Sequence, residues 1–356
     1  MKKVGKGMVI LGVLSLFILG LGIQDTKAAE FPLKGWPRGV VCASGSMGSF
    51  YYVQSVAGSE LSSKYLKVKA TVVATGAGSG QQIDLFRKNE ADLGTMADIS
   101  VYEASLGIGS YKGKQIKNMR AVAGSFQVLY MIVADAKSGI KTMEDLKGSG
   151  LTVSLRPRTS PLFTKVGNII YEFYGIDSKG KDVKDVTHTS KAEGFAGLKE
   201  GRIKVLAEGQ PEPGPDPYYL EADRVIDMRM IPLSMKAIEY VDSKIHGFKP
   251  VTQSAGLYKG ITKPVQTGST TTGFYASAAL PDTYVYELTK LINESPTREE
   301  FAAHGPHLKN VGIKRVGYLG SAFHAGAVKY YKEKGVWTAK MEAHQKDILK
   351  KMGVTK

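Results

Sequence analysis

Two arginines separated by a single proline, in "LRPRTSP" (155–161), are the sharpest chemical feature of this chain. A guanidinium holds a carboxylate, sulfonate or phosphate through paired N–H bonds, which a flexible lysine does less well. Pro157 restricts the loop between Arg156 and Arg158, and Thr159 and Ser160 add hydroxyls just after it. Side chains two apart can point to opposite sides, so the spacing leaves open which arginine faces a ligand. The competing reading is two solvated arginines on a surface loop.

Three further turns share this design. "SGSMGSFYY" (44–52) places Gly45, Met47, Gly48 and the hydroxyls of Ser46 and Ser49 at the start of a helix. "ATGAGSGQQ" (74–82) does the same with three glycines, Ser79, Gln81 and Gln82, and "MADIS" (96–100) with Ala97 and Asp98. Free N–H groups at a helix start bind small anions. The dinucleotide fingerprint needs glycine where Gln81 stands, and nothing here supplies the Gly-Lys-Ser/Thr of a phosphate loop. A flexible turn capped by Ser79 is the alternative to an anion site. Asp98 is expected to be an N-cap. Tyr51 and Tyr52 are wall contacts or core. "EGQPEPGPDPYY" (208–219), with Gln210, packs four prolines into seven residues. It is expected to be neither strand nor helix, and to be either a stiff loop beside a cleft or a surface connection.

The elements that must position these turns alternate. "GVVCASG", "KVKATVV" and "ADLGTM" read as strands, each followed by a helical run, which argues for mostly parallel sheets flanked by helices. "MRAVAGSFQVLYMIVADAKSGI" holds two strand candidates, and "TMEDLKGSGLTVSL" resets the pattern. Crossovers near residues 124–132 and 255–275 predict an α/β protein of two lobes with a ligand cleft between them. The expected bounds are 29–125 plus 260–356 for a discontinuous lobe I and 126–259 for lobe II. "AVKYYKEKG" and "AKMEAHQKDILKKMG" read as amphipathic surface helices.

Residues 1–28 read as a signal peptide: Lys2, Lys3 and Lys6, then "MVILGVLSLFILGLGI", then small residues at Thr26 and Ala28. The mature chain is expected in the periplasm, with an uncleaved N-terminal anchor as the alternative. The formal net charge is +15, of which four lysines and one aspartate in the leader account for three, leaving +12. The cations are scattered, no stretch interleaves clustered Arg or Lys with aromatics, and export argues the same way, so nucleic acid is not the expected partner. Cys42 is the only cysteine, so no intramolecular disulfide forms. No Gly-x-Ser-x-Gly elbow or His-Glu-x-x-His occurs, and the Gly-Pro between His304 and His307 disfavours a helical ligand pair. Neither an enzyme, a metal site nor a cofactor is expected.

Taken in order, these stretches resemble the solute receptors of tripartite ATP-independent periplasmic (TRAP) transporters, specifically the TAXI branch. "GSMGSFYY" resembles the family's Gly-Ser-Thr-Gly-Gly-x-Tyr-Tyr turn, and "EGQPEP" its Gly-x-Pro-x-Pro loop. "ATGAGSGQQIDLFRKNEADLGTMADISVYEA" resembles its Ala-Thr-Gly-Gly-Ser, Gly-Glu-Ala-Asp and Tyr-Glu-Ala segments. "FHAGAVKYYKEKG" resembles its His-Pro-Gly-Ala-x-x-Tyr-Tyr pattern. The resemblance implies a monomeric receptor that closes on an organic anion and delivers it to small and large membrane subunits, fused or separate. Met47 stands in place of a threonine, Ala97-Asp98-Ile99 in place of Gln-Ser-Asp, and Arg156-Pro157-Arg158-Thr159-Ser160 in place of a glycine-rich turn. These departures point away from amino acids and toward an anion without an amino group. The alternatives are the receptor of an ATP-driven importer, a sensor module, and an exported hydrolase or transferase.

Overall fold

A computed structural model describes residues 30–76, 78–158, 160–212 and 214–354. The expected leader and Thr159 lie outside them. The first strands are β1 (Gly39–Ser44), β2 (Lys69–Ala74), β3 (Leu93–Ala97), β4 (Met119–Asp135) and β5 (Thr152–Ser154). They are followed by β6 (Lys184–Asp185), β7 (Val205–Pro211), β8 (Met228–Ile231), β9 (Lys249–Gln253) and β10 (Val265–Ser277). All join one mixed sheet in the order β2-β1-β3-β10-β4-β7-β5-β6, with β8 on β4 and β9 on β10.

The parallel pairing expected from the alternating pattern occurs in two outer groups. β1 runs parallel to β2 and β3, and β5 runs parallel to β6 and β7. Between them β4 and β10 run antiparallel to each other and to the groups they flank. The stretch expected to hold two strands is therefore one strand of 17 residues. It stays unbroken because its partners overlap along it: β10 from Met119 to Tyr130, then β7 from Val128 to Ala134. Register shifts near Thr271 and Phe274 occur along the β4–β10 ladder, and such bulges strengthen local twist.

Helices α1 (Phe50–Tyr65), α2 (Gly80–Arg87), α3 (Asp98–Leu106) and α4 (Pro161–Tyr174) open the turns of interest. Then come α5 (Lys191–Lys199), α6 (Pro217–Val225), α7 (Met235–Lys244) and α8 (Asp282–Asn293). The last are α9 (Thr297–Ala303), α10 (Ala325–Glu333) and α11 (Ala339–Lys351). The proline-rich stretch is less loop than its composition predicts. β7 continues through Pro211, which is the last residue in register with β4, and α6 starts at Pro217. A proline at the first helical position is tolerated because its missing N–H has no partner there anyway.

The two ends of the sheet have separate cores. Cys42, Leu61, Phe86, Phe274, Leu288 and Tyr330 centre the first. Tyr130, Val153, Phe163, Ile170, Ile238 and Phe248 centre the second, and a third cluster around Phe195 and Tyr219 backs it. Cys42 is fully buried, and burial pushes its thiol pKa up to about 11. Among the described residues, no helix is long and apolar enough to cross a membrane.

Candidate functional site

Because β1, β2 and β3 are parallel, the three turns that follow them open at the same edge of the sheet. In the first, Ser49 caps α1: its hydroxyl oxygen accepts from Tyr52 N at 3.2 Å, which leaves its own proton free. A Cβ at Gly45 would lie 2.8 Å from Ser49 Oγ and 3.1 Å from Tyr51 Cβ, so a larger residue would push on the hydroxyl that caps α1. Gly48 is left-handed, with φ +77°. Ser46 is exposed, and so is Met47, at 78%. Tyr51 is half-buried with its ring 5.9 Å from that of Phe126, and burial raises its hydroxyl pKa well above the usual value, so it stays neutral.

The second and third turns are stitched to the first. Ser79 does not cap α2; its hydroxyl accepts from Ala97 N at 2.9 Å. Gln82 is fully buried, and its amide lies between Gly45 N and the Thr95 carbonyl, accepting from the first and donating to the second. Gln81 is exposed, and its oxygen accepts from Gly76 N at 2.5 Å. Asp98 is not an N-cap but the first residue of α3, with Ala97 in the cap position. Its buried carboxylate accepts from Tyr275 Oη (2.7 Å), Gly320 N (2.7 Å) and Ser321 N (3.2 Å). Local capping loses to these three distant donors. Gln82 and Asp98 thus hold the turns in place with their own side chains already engaged.

On the other side, α4 follows β5. Ser160 caps α4 by accepting from Phe163 N at 3.3 Å, and Pro161 takes its first position. Arg156 turns into its own half: Nε meets Asp185 Oδ2 at 2.5 Å, Nη1 donates to Asn168 Oδ1 at 3.3 Å, and the guanidinium lies over the Tyr171 ring. Burial raises the Asp185 pKa, and the Arg156 guanidinium opposes the rise. Arg158 is exposed and, among the described residues, no carboxylate pairs with it. Gln210 is buried, accepting from the Tyr258 hydroxyl and donating to Gly214 O at 2.6 Å.

A buried Ser154–His188–Glu208 chain lies behind this turn, with His188 2.8 Å from each partner. Its order resembles a hydrolytic triad, but Ser154 is wholly buried and its hydroxyl donates to the Val186 carbonyl. Such a serine is not presented to a substrate. The two candidate metal histidines go separate ways. His304 pairs with Glu60 at 3.1 Å, while His307 is buried edge-on to Phe50 and Phe126. Burial lowers the His307 pKa to about 4.

The turns from the two halves meet. Gly78, at φ +79°, is so close to α4 that a Cβ would lie 3.1 Å from Pro161 Cδ. Glu103 of α3 pairs with Lys165 of α4 at 2.7 Å. Arg315 donates to Gln127 Oε1 of β4 at 2.6 Å and pairs with Glu212 at 3.0 Å. Tyr102 meets the His246 ring edge-on, with centroids 5.7 Å apart. These contacts bring the turns after β2 and β3 against the start of α4, with Arg158 exposed beside them.

A family model described as NMT1-like matches residues 42–335. The chain belongs to the NMT1-like family. Similar solved structures include the periplasmic aliphatic sulphonate binding protein of Escherichia coli, with 17% identity over 90% of this chain and 89% of that one, at TM-score 0.42. Another is MatC from Rhodopseudomonas palustris with bound malate, with 12% identity over 88% and 100% of the two chains, at TM-score 0.46. A third is a Xanthomonas citri protein bound to chloride ion, with 10% identity over 88% and 99%, at TM-score 0.47.

The NMT1-like match spans all four turns and the partners that join them. Sequence reasoning missed Glu103, Lys165, Gln127 and Arg315, because no local pattern shows that two distant charges meet. Glu212 alone carried a signal, as the one charged residue in "GQPEPG".

Proposed function

We propose that this NMT1-like protein is an extracytoplasmic solute-binding receptor that captures a small organic anion between two lobes and hands it to a membrane transporter. The observation that carries the reading is the meeting of the Gly78 turn with the Pro161 start of α4. Helix starts from both sheet groups then face one space, where their N–H groups favour negative charge. The lobes are taken as 29–125 plus 260–356 and 126–259, with β4 and β10 as the crossing strands. Ser46, Gly48, Ser49, Tyr51, Ser79, Gln81 and Ser160 would offer hydroxyl, amide or backbone contacts, and Met47 an apolar one. Arg158 would be the cation, since Arg156 is engaged by Asp185. The order of the turn motifs favours a TRAP-type membrane partner of the TAXI branch. Export through the leader would put the receptor in the periplasm.

A thermal-shift screen of the exported protein against mono- and dicarboxylates and sulfonates tests this. A ligand at a hundred times its Kd adds about 2.7 kcal/mol of stability, and the bound anion should be recovered unchanged. Stabilisation by neutral compounds alone, or turnover of the ligand, would overturn the reading.

A further inference from the structure

Among the described residues, only two ion pairs join one sheet half to the other: Glu103–Lys165 and Arg315–Glu212. We propose that these pairs are electrostatic catches that set how strongly the protein favours its closed arrangement. The inference rests on the two-lobe reading but is independent of which solute is bound.

The first catch is held ready on its own half, and the second is fixed on the crossing strand β4. Glu103 Oε2 accepts from Ser110 N at 3.1 Å, leaving Oε1 for Lys165. Arg315 Nη1 is fixed by Gln127 Oε1, and Gln127 Nε2 donates in turn to Ser269 Oγ of β10 at 2.9 Å. That second chain ties the Arg315 catch to both central strands. A side chain already ordered by a local bond loses little rotamer freedom when its partner arrives, so most of the ion-pair energy favours closure. The catches are also partly shielded, with Glu103 12% and Arg315 14% exposed. Separated, the four charges would be hydrated and screened by salt; together they are screened less. Salt should therefore favour opening.

Small-angle X-ray scattering on the unliganded protein across a salt series reads this directly. The radius of gyration is expected to rise with sodium chloride. Glu103→Gln and Glu212→Gln should each raise it already at low salt and flatten part of the salt response. The exchanged pair Glu103→Lys with Lys165→Glu should return toward the parent value, which a merely structural role for either residue would not produce. A salt-indifferent parent, or Gln variants that scatter like the parent at every salt concentration, would overturn the proposal. If a Gln variant fails to fold, as a melting curve shows, the parent's salt series decides alone. The anion screen is a separate measurement, so a protein that binds no anion can still pass this test.

Discussion

Arg156 Nε lies 2.5 Å from Asp185 Oδ2, and the aspartate side chain has no exposed surface. A cation chosen by composition as a ligand contact is thus the counter-ion of a buried carboxylate. Arg156→Ala is expected to destabilise the fold by about 3 kcal/mol, since removing one partner strands the other charge; the guanidinium's partial exposure sets the lower end of the usual range. Denaturant melts measure this. Arg158→Ala should leave the melt unchanged and weaken the anion found by screening by about 2 kcal/mol or more. Unchanged affinity would return Arg158 to the solvated surface.

Asp98 connects the third turn to the segment at 320–321. Asp98→Ala strands the donors on Gly320, Ser321 and Tyr275 and should cost about 3 kcal/mol. Asp98→Asn, which keeps one acceptor oxygen, should cost less. Equal midpoints for the two variants in urea would refute this account.

Gly78 combines a left-handed backbone with the contact to Pro161. Alanine there costs roughly 1 kcal/mol from the backbone alone. The added methyl also presses on α4 only when the halves meet, so Gly78→Ala should reduce anion affinity by more than it reduces stability. Calorimetric titration beside a melt separates the two effects, and equal losses would count against a closing turn.

His307 supplies a pH dependence. Its pKa is lowered from 6.5 to about 4, chiefly by burial, so folding favours the neutral ring. That contribution is fully present above about pH 6.5 and is lost as pH falls toward 4, where the folded state must also take up the proton. The difference amounts to ~3 kcal/mol. His307→Leu, of similar size, should flatten the loss of stability between pH 6.5 and 4 relative to the parent. Parallel pH profiles would show that His307 does not contribute it.

The helix starts were legible because their signals are local. Glycines and small hydroxyls, Gly48 and Gly78 among them, mark the turns by residue type, but the caps are Ser49 and Ser160 and not the expected Ser79 and Asp98. What was hidden depends on pairing between distant segments. β4 reads as two strands until β10 and β7 are seen to share it. Asp98 looks like a cap until Gly320 and Ser321 arrive from more than two hundred residues away. Arg156, Gln82 and Gln210 have ligand-like chemistry, but each has a partner that only the folded chain supplies.

The burial of Cys42 makes the native protein silent toward thiol reagents, because its thiol is both inaccessible and held protonated. A cysteine introduced on either side of the Gly78–Pro161 contact would therefore be the single reactive sulfur in the molecule. A fluorophore attached there would make the protein an optical gauge of the proposed solute, with no background thiol to engineer away.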